Sequence, residues 1–199
     1  MVYNRKDYFF HKAKEENYAA RSVFKLEEID QKFRIIRSGD KVIDLGAAPG
    51  SWSQFTSRKI GPKGRLLGID LQQVKLTLPN AVFLTGDMRQ LDLPDTLRAQ
   101  GFEPPFDVVL SDMAPRTTGI RLTDQVRSAE LCELALSVAE KYLRPGGHFV
   151  CKMFHSEEFE AFRTQLRQKF QKVEILRPKS TRKESKEIFF IGTGFRPGP

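Results

Sequence analysis

The sequence predicts an α/β fold: a doubly wound, mostly parallel seven-stranded sheet with an antiparallel last strand and a helical N-terminal extension. Three observations carry this. Strand-like and helix-like segments alternate from residue 41 onward, the pattern of chained βα units. The stretch FDVVLSD (106–112) is a nearly continuous apolar run, as a strand covered on both faces requires. The last two strand-like stretches are joined only by KSTRKESK (179–186), which is too short for a parallel crossover, so the final strand must run antiparallel to a neighbour.

Each element follows from local pattern. Residues 18–33, YAARSVFKLEEIDQKF, place Val23, Leu26, Ile29 and Phe33 at helical spacing, which predicts a helix with one apolar face. KVIDL (41–45) reads as a strand, then a turn and a helix through about residue 60. GRLLGIDL (64–71) and AVFLTGD (81–87) are strands, with a short helix near 94–100. After 106–112 a long helix is expected over 123–143, capped by Thr123 or Asp124 and closed by RPGG (144–147). HFVCKM (148–153) is a strand, 156–170 a helix, and KVEILRP (172–178) and EIFFIGTGF (187–195) are strands.

Length and composition narrow the class. With 199 residues and 40% hydrophobic composition, the chain suits one domain, 1–199, with a basic N-terminal helical extension (1–38) and a core (39–199). No apolar run approaches the ~20 residues of a membrane span. The charged N-terminus lacks the apolar core of a signal peptide, and Asp7, Glu15 and Glu16 interrupt any transit-peptide pattern. Cys132 and Cys151 fall on a core helix and a core strand, as in a reducing cytoplasm. No metal is expected. The net charge of +8 favours an anionic partner. Positive residues concentrate at 5–37 (Arg5, Lys6, Lys12, Lys14, Arg21, Lys25, Lys32, Arg34, Arg37) and at 177–186 (Arg177, Lys179, Arg182, Lys183, Lys186).

Ligands of open α/β sheets sit outside the carboxyl ends of the strands. Those ends carry Gly46-Ala47-Ala48-Pro49-Gly50 after the first strand, then Asp70, Asp87, Asp112 and Lys152. The turn lacks the third glycine of a G-x-G-x-x-G pyrophosphate cradle, which argues against a dinucleotide. An adenosine without phosphates suits it better: Asp70 is placed to accept both ribose hydroxyls and Asp87 to accept from an adenine amino group. S-adenosylmethionine has those parts.

The stretches DLGAAPGSWSQ (44–54), GD (86–87), SDMAP (111–115), RPGGHFVCKMF (144–154) and SKEIFFIGTGF (185–195) resemble the FtsJ/RrmJ family, S-adenosylmethionine-dependent 2′-O-ribose methyltransferases of RNA. The resemblance runs from about residue 3 to the C-terminus. It implies a Rossmann-like class I methyltransferase fold. It implies a catalytic tetrad falling on Lys25, Asp112, Lys152 and Glu187. It also implies cofactor contacts from Gly46, Ala47, Ala48, Pro49, Gly50, Trp52, Asp70, Asp87 and Asp112. The SDMAP form looks like the branch acting on large-subunit ribosomal RNA, so the implied substrate is a uridine in the A loop of 23S RNA. A cytoplasmic monomer without membrane contact is expected to act on it. Two positions depart from the family pattern: Ser51 stands where another glycine is common, and Arg116 where asparagine is common. Other readings are a tRNA or cap ribose methyltransferase, a non-catalytic RNA-binding ribosome-assembly factor and, more remotely, a nicotinamide dehydrogenase, which the turn disfavours.

The tetrad makes chemical sense. A ribose hydroxyl is a poor nucleophile until its proton leaves, so a general base helps most. Free lysine stays protonated; burial and a neighbouring cation both favour the neutral amine. Lys152, ending a central strand near Lys25, is expected to meet both conditions and to act as the base. Asp112 would orient it, Lys25 position the acceptor, and Glu187 balance charge. Trp52 is expected to pack the first helix on the sheet, or to flank the methionine end of the cofactor. Tyr8, Phe9 and Phe10 read as packing residues, with stacking on RNA bases the alternative. His11, His148 and His155 are scattered and carry no expected role.

Overall fold

The computed structural model describes residues 5–182 and 184–198. In chain order the elements are α1 (Arg5–Glu15), α2 (Val23–Phe33), β1 (Lys41–Leu45), α3 (Ser51–Ile60), β2 (Arg65–Asp70), β3 (Ala81–Thr85), α4 (Leu93–Ala99), β4 (Phe106–Ser111), α5 (Arg121–Tyr142), β5 (Leu143–Phe154), α6 (Phe159–Lys169), β6 (Phe170–Leu176) and β7 (Glu187–Phe195). The seven strands form one sheet in the order β3-β2-β1-β4-β5-β7-β6. Pairings from β3 through β5 are parallel. β7 is antiparallel to both β5 and β6, as the short connection requires.

Alternation along the central strands builds two cores. Ile43 and Leu45 of β1, Val109 of β4, and Phe149, Cys151 and Met153 of β5 face α4, α5 and α6. Val42, Val108, Leu110 and Val150 face the other way, onto α2 and α3 through Leu26, Ile29, Trp52 and Phe55. This is why the central strands read as continuous apolar runs. Burying each such side chain contributes about 1.5–3 kcal/mol. α2 is thus part of the second core rather than an appendage.

Several boundaries differ from the sequence reading. The expected helix over 18–33 begins only at Val23. Asn17 turns the chain at a φ of +57°, and Ala19 N–H donates to the Gln54 side chain at 2.7 Å instead of entering a helix. α1 was not anticipated: it offers only a narrow apolar face, where Ala13 is buried and Phe9 packs on Phe24 at 5.4 Å. α5 starts at Arg121, not at 123, with Ile120 as an N-cap lacking a side-chain bond. Asp124 lies inside its first turn and reaches back instead, accepting from Thr118 N (2.7 Å), Thr118 Oγ1 (2.9 Å) and Gly119 N (3.2 Å). RPGG does not follow α5 as a closing loop. It belongs to β5, which begins at Leu143 and shifts register between Phe106 and Val108.

Candidate active site

β1 lies between β2 and β4, so its carboxyl end marks the switch point where the chain's crossovers diverge and a crevice opens. The glycine turn fills this point. Gly46 has a φ of +77°, and a Cβ there would come within 2.9 Å of the Met113 backbone. Gly50 caps α3 at a φ of +113°, and a Cβ there would meet Leu76 at 2.2 Å. Both positions favour glycine for conformation, and Gly46 for space as well, since backbone stands against it whereas the end of the Leu76 side chain can shift. The first bond that closes α3 runs from Gln54 N–H to Gly50 O at 2.8 Å. The N–H groups of Ser51, Trp52 and Ser53 thus have no acceptor within the helix. Ser51, where a further glycine was noted as common, pairs its hydroxyl with Ser22 at 2.8 Å, which joins α3 to the start of α2.

Trp52 packs rather than lines the crevice. Its indole is buried against Phe189, and its N–H donates to Ser22 O at 2.9 Å. The packing half of the sequence expectation describes the side chain. What remains available to a cofactor is the Trp52 backbone N–H.

Asp70 ends β2 with one oxygen on Ala48 N–H (2.9 Å) and the other on Gln72 N–H (2.7 Å). Each oxygen keeps a further lone pair, which suits a vicinal diol. Leu71, beside it, is a large apolar side chain left 63% exposed, an apolar surface for a planar ring that the sequence reading missed. Asp87 stands after β3 and accepts from Arg89 N–H at 3.0 Å. Together the open helix turn, the two aspartates and the exposed leucine fit an adenosine-bearing amino acid. Ala47 is buried, while Ala48 and Pro49 lie nearer the surface of the turn.

One acid was not anticipated. Asp44, in β1, is fully buried under α3 and takes a 2.6 Å bond from Ser53 Oγ on one oxygen; its other oxygen has no partner. Burial pushes its carboxyl up to about 7, against the Ser53 bond and with help from the negative charges of Asp112 and Asp70. A charged residue inside the apolar run VIDL was the available signal. Because the native state holds this proton where the unfolded chain has lost it, stability falls as pH rises above the ordinary carboxylate range. The loss is complete just above pH 7. Asp44→Asn is therefore expected to melt several degrees above the parent at pH 8, and the gap should shrink towards pH 5. Thermal melts of the cofactor-free protein at both pH values test this, and an equal gap at both would show that Asp44 holds no proton.

The four expected catalytic residues converge as two ion pairs. Lys152 Nζ lies 3.0 Å from Asp112 Oδ1 and donates to the Asp112 main-chain carbonyl at 2.6 Å. Lys25 Nζ lies 2.6 Å from Glu187 Oε1. Adjacent parallel strands β4 and β5 deliver Asp112 and Lys152. The antiparallel start of β7 sets Glu187 opposite Phe154, two residues beyond Lys152. Lys25 comes from α2 over the ring of Phe189, at 5.8 Å. Of the two influences expected on Lys152, burial is evident, with a side chain 8% exposed. The other is altered, because Glu187 matches the charge of Lys25.

Supporting contacts lie outside the tetrad. The Cys132 thiol donates to Lys152 O at 3.2 Å; burial pushes the Cys151 thiol up, and both cysteines are free. Ser128 Oγ accepts from Phe154 N–H at 3.0 Å, and Gln125 Nε2 donates to His155 O at 2.6 Å. With Asp124 on the 118–119 loop, the first two turns of α5 thus anchor the chain after both Asp112 and Lys152.

The basic loop 177–186 is folded onto α2. Arg21 donates to Ser180 O at 2.6 Å, and Lys179 N–H donates to Glu28 Oε2 at 2.7 Å. Arg177 braces the loop from inside through Ser185 O at 2.8 Å. Lys179, Arg182 and Lys186 are exposed, as is Arg116; Lys183 lies outside the described residues. Tyr8 and Phe10 are about half-exposed while Phe9 packs. Among the described residues, no helix is long and apolar enough to cross a membrane and no acid, histidine or cysteine cluster could hold a metal ion.

Comparison with known proteins sets the chain beside methyltransferases. The model of the FtsJ-like methyltransferase family matches residues 18–195. A ribosomal RNA large subunit methyltransferase E from Bdellovibrio bacteriovorus is 60% identical over 192 residues, 96% of this chain and 98% of that one. Its namesake from Syntrophobacter fumaroxidans is 47% identical over 98% of this chain and 99% of its own. Among solved structures, one described as a ribosomal RNA methyltransferase from Plasmodium falciparum superposes with a TM-score of 0.76 at 28% identity, over 89% of this chain and 98% of that one. Fibrillarin from Aeropyrum pernix with bound S-adenosyl-L-methionine shares the fold, with a TM-score of 0.56 at 18% identity over 80% of this chain and 68% of that one.

Proposed function

This chain belongs to the FtsJ-like methyltransferase family, and from that premise we propose that it methylates a ribose 2′-hydroxyl of large-subunit ribosomal RNA, a uridine of the A loop. The observation that carries the reading is the contact of buried Lys152 with Asp112 beside the glycine turn.

S-adenosylmethionine supplies a methyl group already activated on a sulfonium. The residues that would hold it are Gly46 to Gly50 and the Trp52 backbone, Asp70 for the ribose diol, Asp87 and Leu71 for the base, and Asp112 near the reacting end. The chain's own task is the acceptor. As the general base, Lys152 would take the 2′-hydroxyl proton onto Nζ and so ready that oxygen for the methyl group the sulfonium gives up. Asp112 orients that amine and stabilises the ammonium that forms. The Lys25–Glu187 pair fixes the acceptor ribose, and Lys25 offers its remaining N–H groups to the oxygen. The protein works as a single domain, 1–199, whose basic N-terminal segment faces the RNA while α2 packs into the core. It acts as a cytoplasmic monomer, on the assembled subunit.

The test incubates the protein and methyl-labelled S-adenosylmethionine with large subunits from a strain lacking this activity, then maps the labelled nucleotide. Label in one 2′-O-methylated A-loop uridine is the expected result. Cofactor binding without any transfer would favour the assembly-factor reading, and label in transfer RNA alone would move the substrate.

A further inference from the structure

Beyond the tetrad, a cavity of about 240 Å³ opens where the carboxyl end of β5, the first turns of α5 and the segment before β7 meet. Arg121, Asp124, Gln125, Phe154, His155, Ser185 and Lys186 line it. The cofactor chemistry does not use it. We propose that this cavity holds an unpaired nucleobase of the substrate strand, that of the nucleotide next to the acceptor. The proposal rests on the RNA reading above and says how the strand is gripped.

Position comes first. Phe154 follows Lys152 by two residues, so both project from one face of β5, about 7 Å apart along the strand. Across the ladder Phe154 faces Glu187. Phe154 thus sets one wall of the cavity about one nucleotide from the Lys152 end of the strand, where the acceptor ribose must lie.

Shape and chemistry come second. The cavity falls below the roughly 300–1,000 Å³ of a drug-sized site, a size for one planar base. Phe154 gives a half-buried aromatic wall. The exposed His155 ring is stacked on Phe159, with centroids 5.1 Å apart and planes 7° off parallel, which leaves its other face as a platform. Base stacking on such rings is how single-stranded RNA is commonly held. The Gln125 amide spends its N–H on His155 O, so its oxygen remains an acceptor for a base edge. Asp124 stays an anion, with its oxygens accepting from Thr118 and Gly119, and the two cations Arg121 and Lys186 outweigh its single charge. Exposed Arg121 and Lys186 flank the opening and suit the phosphates on either side of one nucleotide.

The walls are set before any ligand arrives. His155 N–H donates to Lys186 O at 3.0 Å, Gln125 holds His155 O, and Ser128 holds Phe154 N–H. Little ordering is left to be done on binding.

The test titrates isotope-labelled protein, saturated with S-adenosylhomocysteine, with uridine 3′,5′-bisphosphate, and follows amide shifts. Ribose 5-phosphate is the base-free control. Saturable shifts at Phe154, His155 and Ser185 are expected, at least tenfold weaker with the control. Arg121→Glu, Lys186→Glu and His155→Ala should each weaken the nucleotide fivefold or more while S-adenosylhomocysteine affinity stays at the parent value. Shifts that the control reproduces, or that fall elsewhere, overturn the base pocket, as does an unchanged affinity in all three variants. Methyl transfer to subunits by the parent protein is read separately, so a silent cavity in an active enzyme refutes this inference and leaves the RNA reading standing.

Discussion

Lys152→Arg is expected to abolish methyl transfer while leaving S-adenosylmethionine binding near the parent value. A positioned general base contributes about 10²–10⁴-fold, and arginine keeps its proton at any working pH. Lys152→Ala should be equally inactive, but it is the less clean variant. It strands the Asp112 carboxylate, whose Oδ1 is buried, and removing one partner of a buried pair costs about 3–5 kcal/mol. The arginine variant keeps a cation beside Asp112 and so separates proton abstraction from charge pairing. Single-turnover transfer of labelled methyl, with calorimetry for the cofactor and a melting curve for the fold, reads all three. Near-normal turnover in Lys152→Arg would exclude lysine as the base.

Asp70→Ala should weaken S-adenosylmethionine at least tenfold. Hydrogen bonds to a charged acceptor are worth roughly 1.5–3 kcal/mol each, and the ribose diol would lose two. Asp70 also holds Ala48 N–H and Gln72 N–H, so the variant should additionally loosen the glycine turn. Asp70→Asn isolates the charge, since it keeps one acceptor oxygen but must set an amide N–H against one of those two donors. Both variants should retain the fold, because Asp70 is only half-buried. Unchanged cofactor affinity in Asp70→Ala would remove this residue from the ribose site.

Several features were legible because they are local. Strand periodicity, the glycine turn and the residue ending each strand are properties of a few consecutive positions. The places of Asp70, Asp87, Asp112 and Lys152 at strand ends could be read by asking what stands there. Trp52 was singled out too, and that its indole turns into the packing depends on how α3 docks on Ser22. Asp44 was passed over although a carboxylate in an apolar strand is itself a local signal. The start of α5 was misplaced because Asp124 looks like an N-cap in sequence, whereas its carboxylate reaches back to the preceding loop from inside the helix.

By itself the sequence determined the α/β class, the seven strands, the antiparallel last strand and the residue types gathered at one edge of the sheet. Only the tertiary structure decided which charges meet. Lys25 pairs with Glu187, and Lys152 with Asp112, and this replaces the picture of one lysine repelling another. It also decided that the basic loop 177–186 lies against α2, and that His155, one of three scattered histidines, walls a cavity with residues from two other segments. The reason is physical. Backbone period and turn chemistry act between neighbours in the chain and leave a pattern there. Ion pairs and cavity walls join residues far apart in sequence, and their partners are chosen only when the packed sheet brings those segments together.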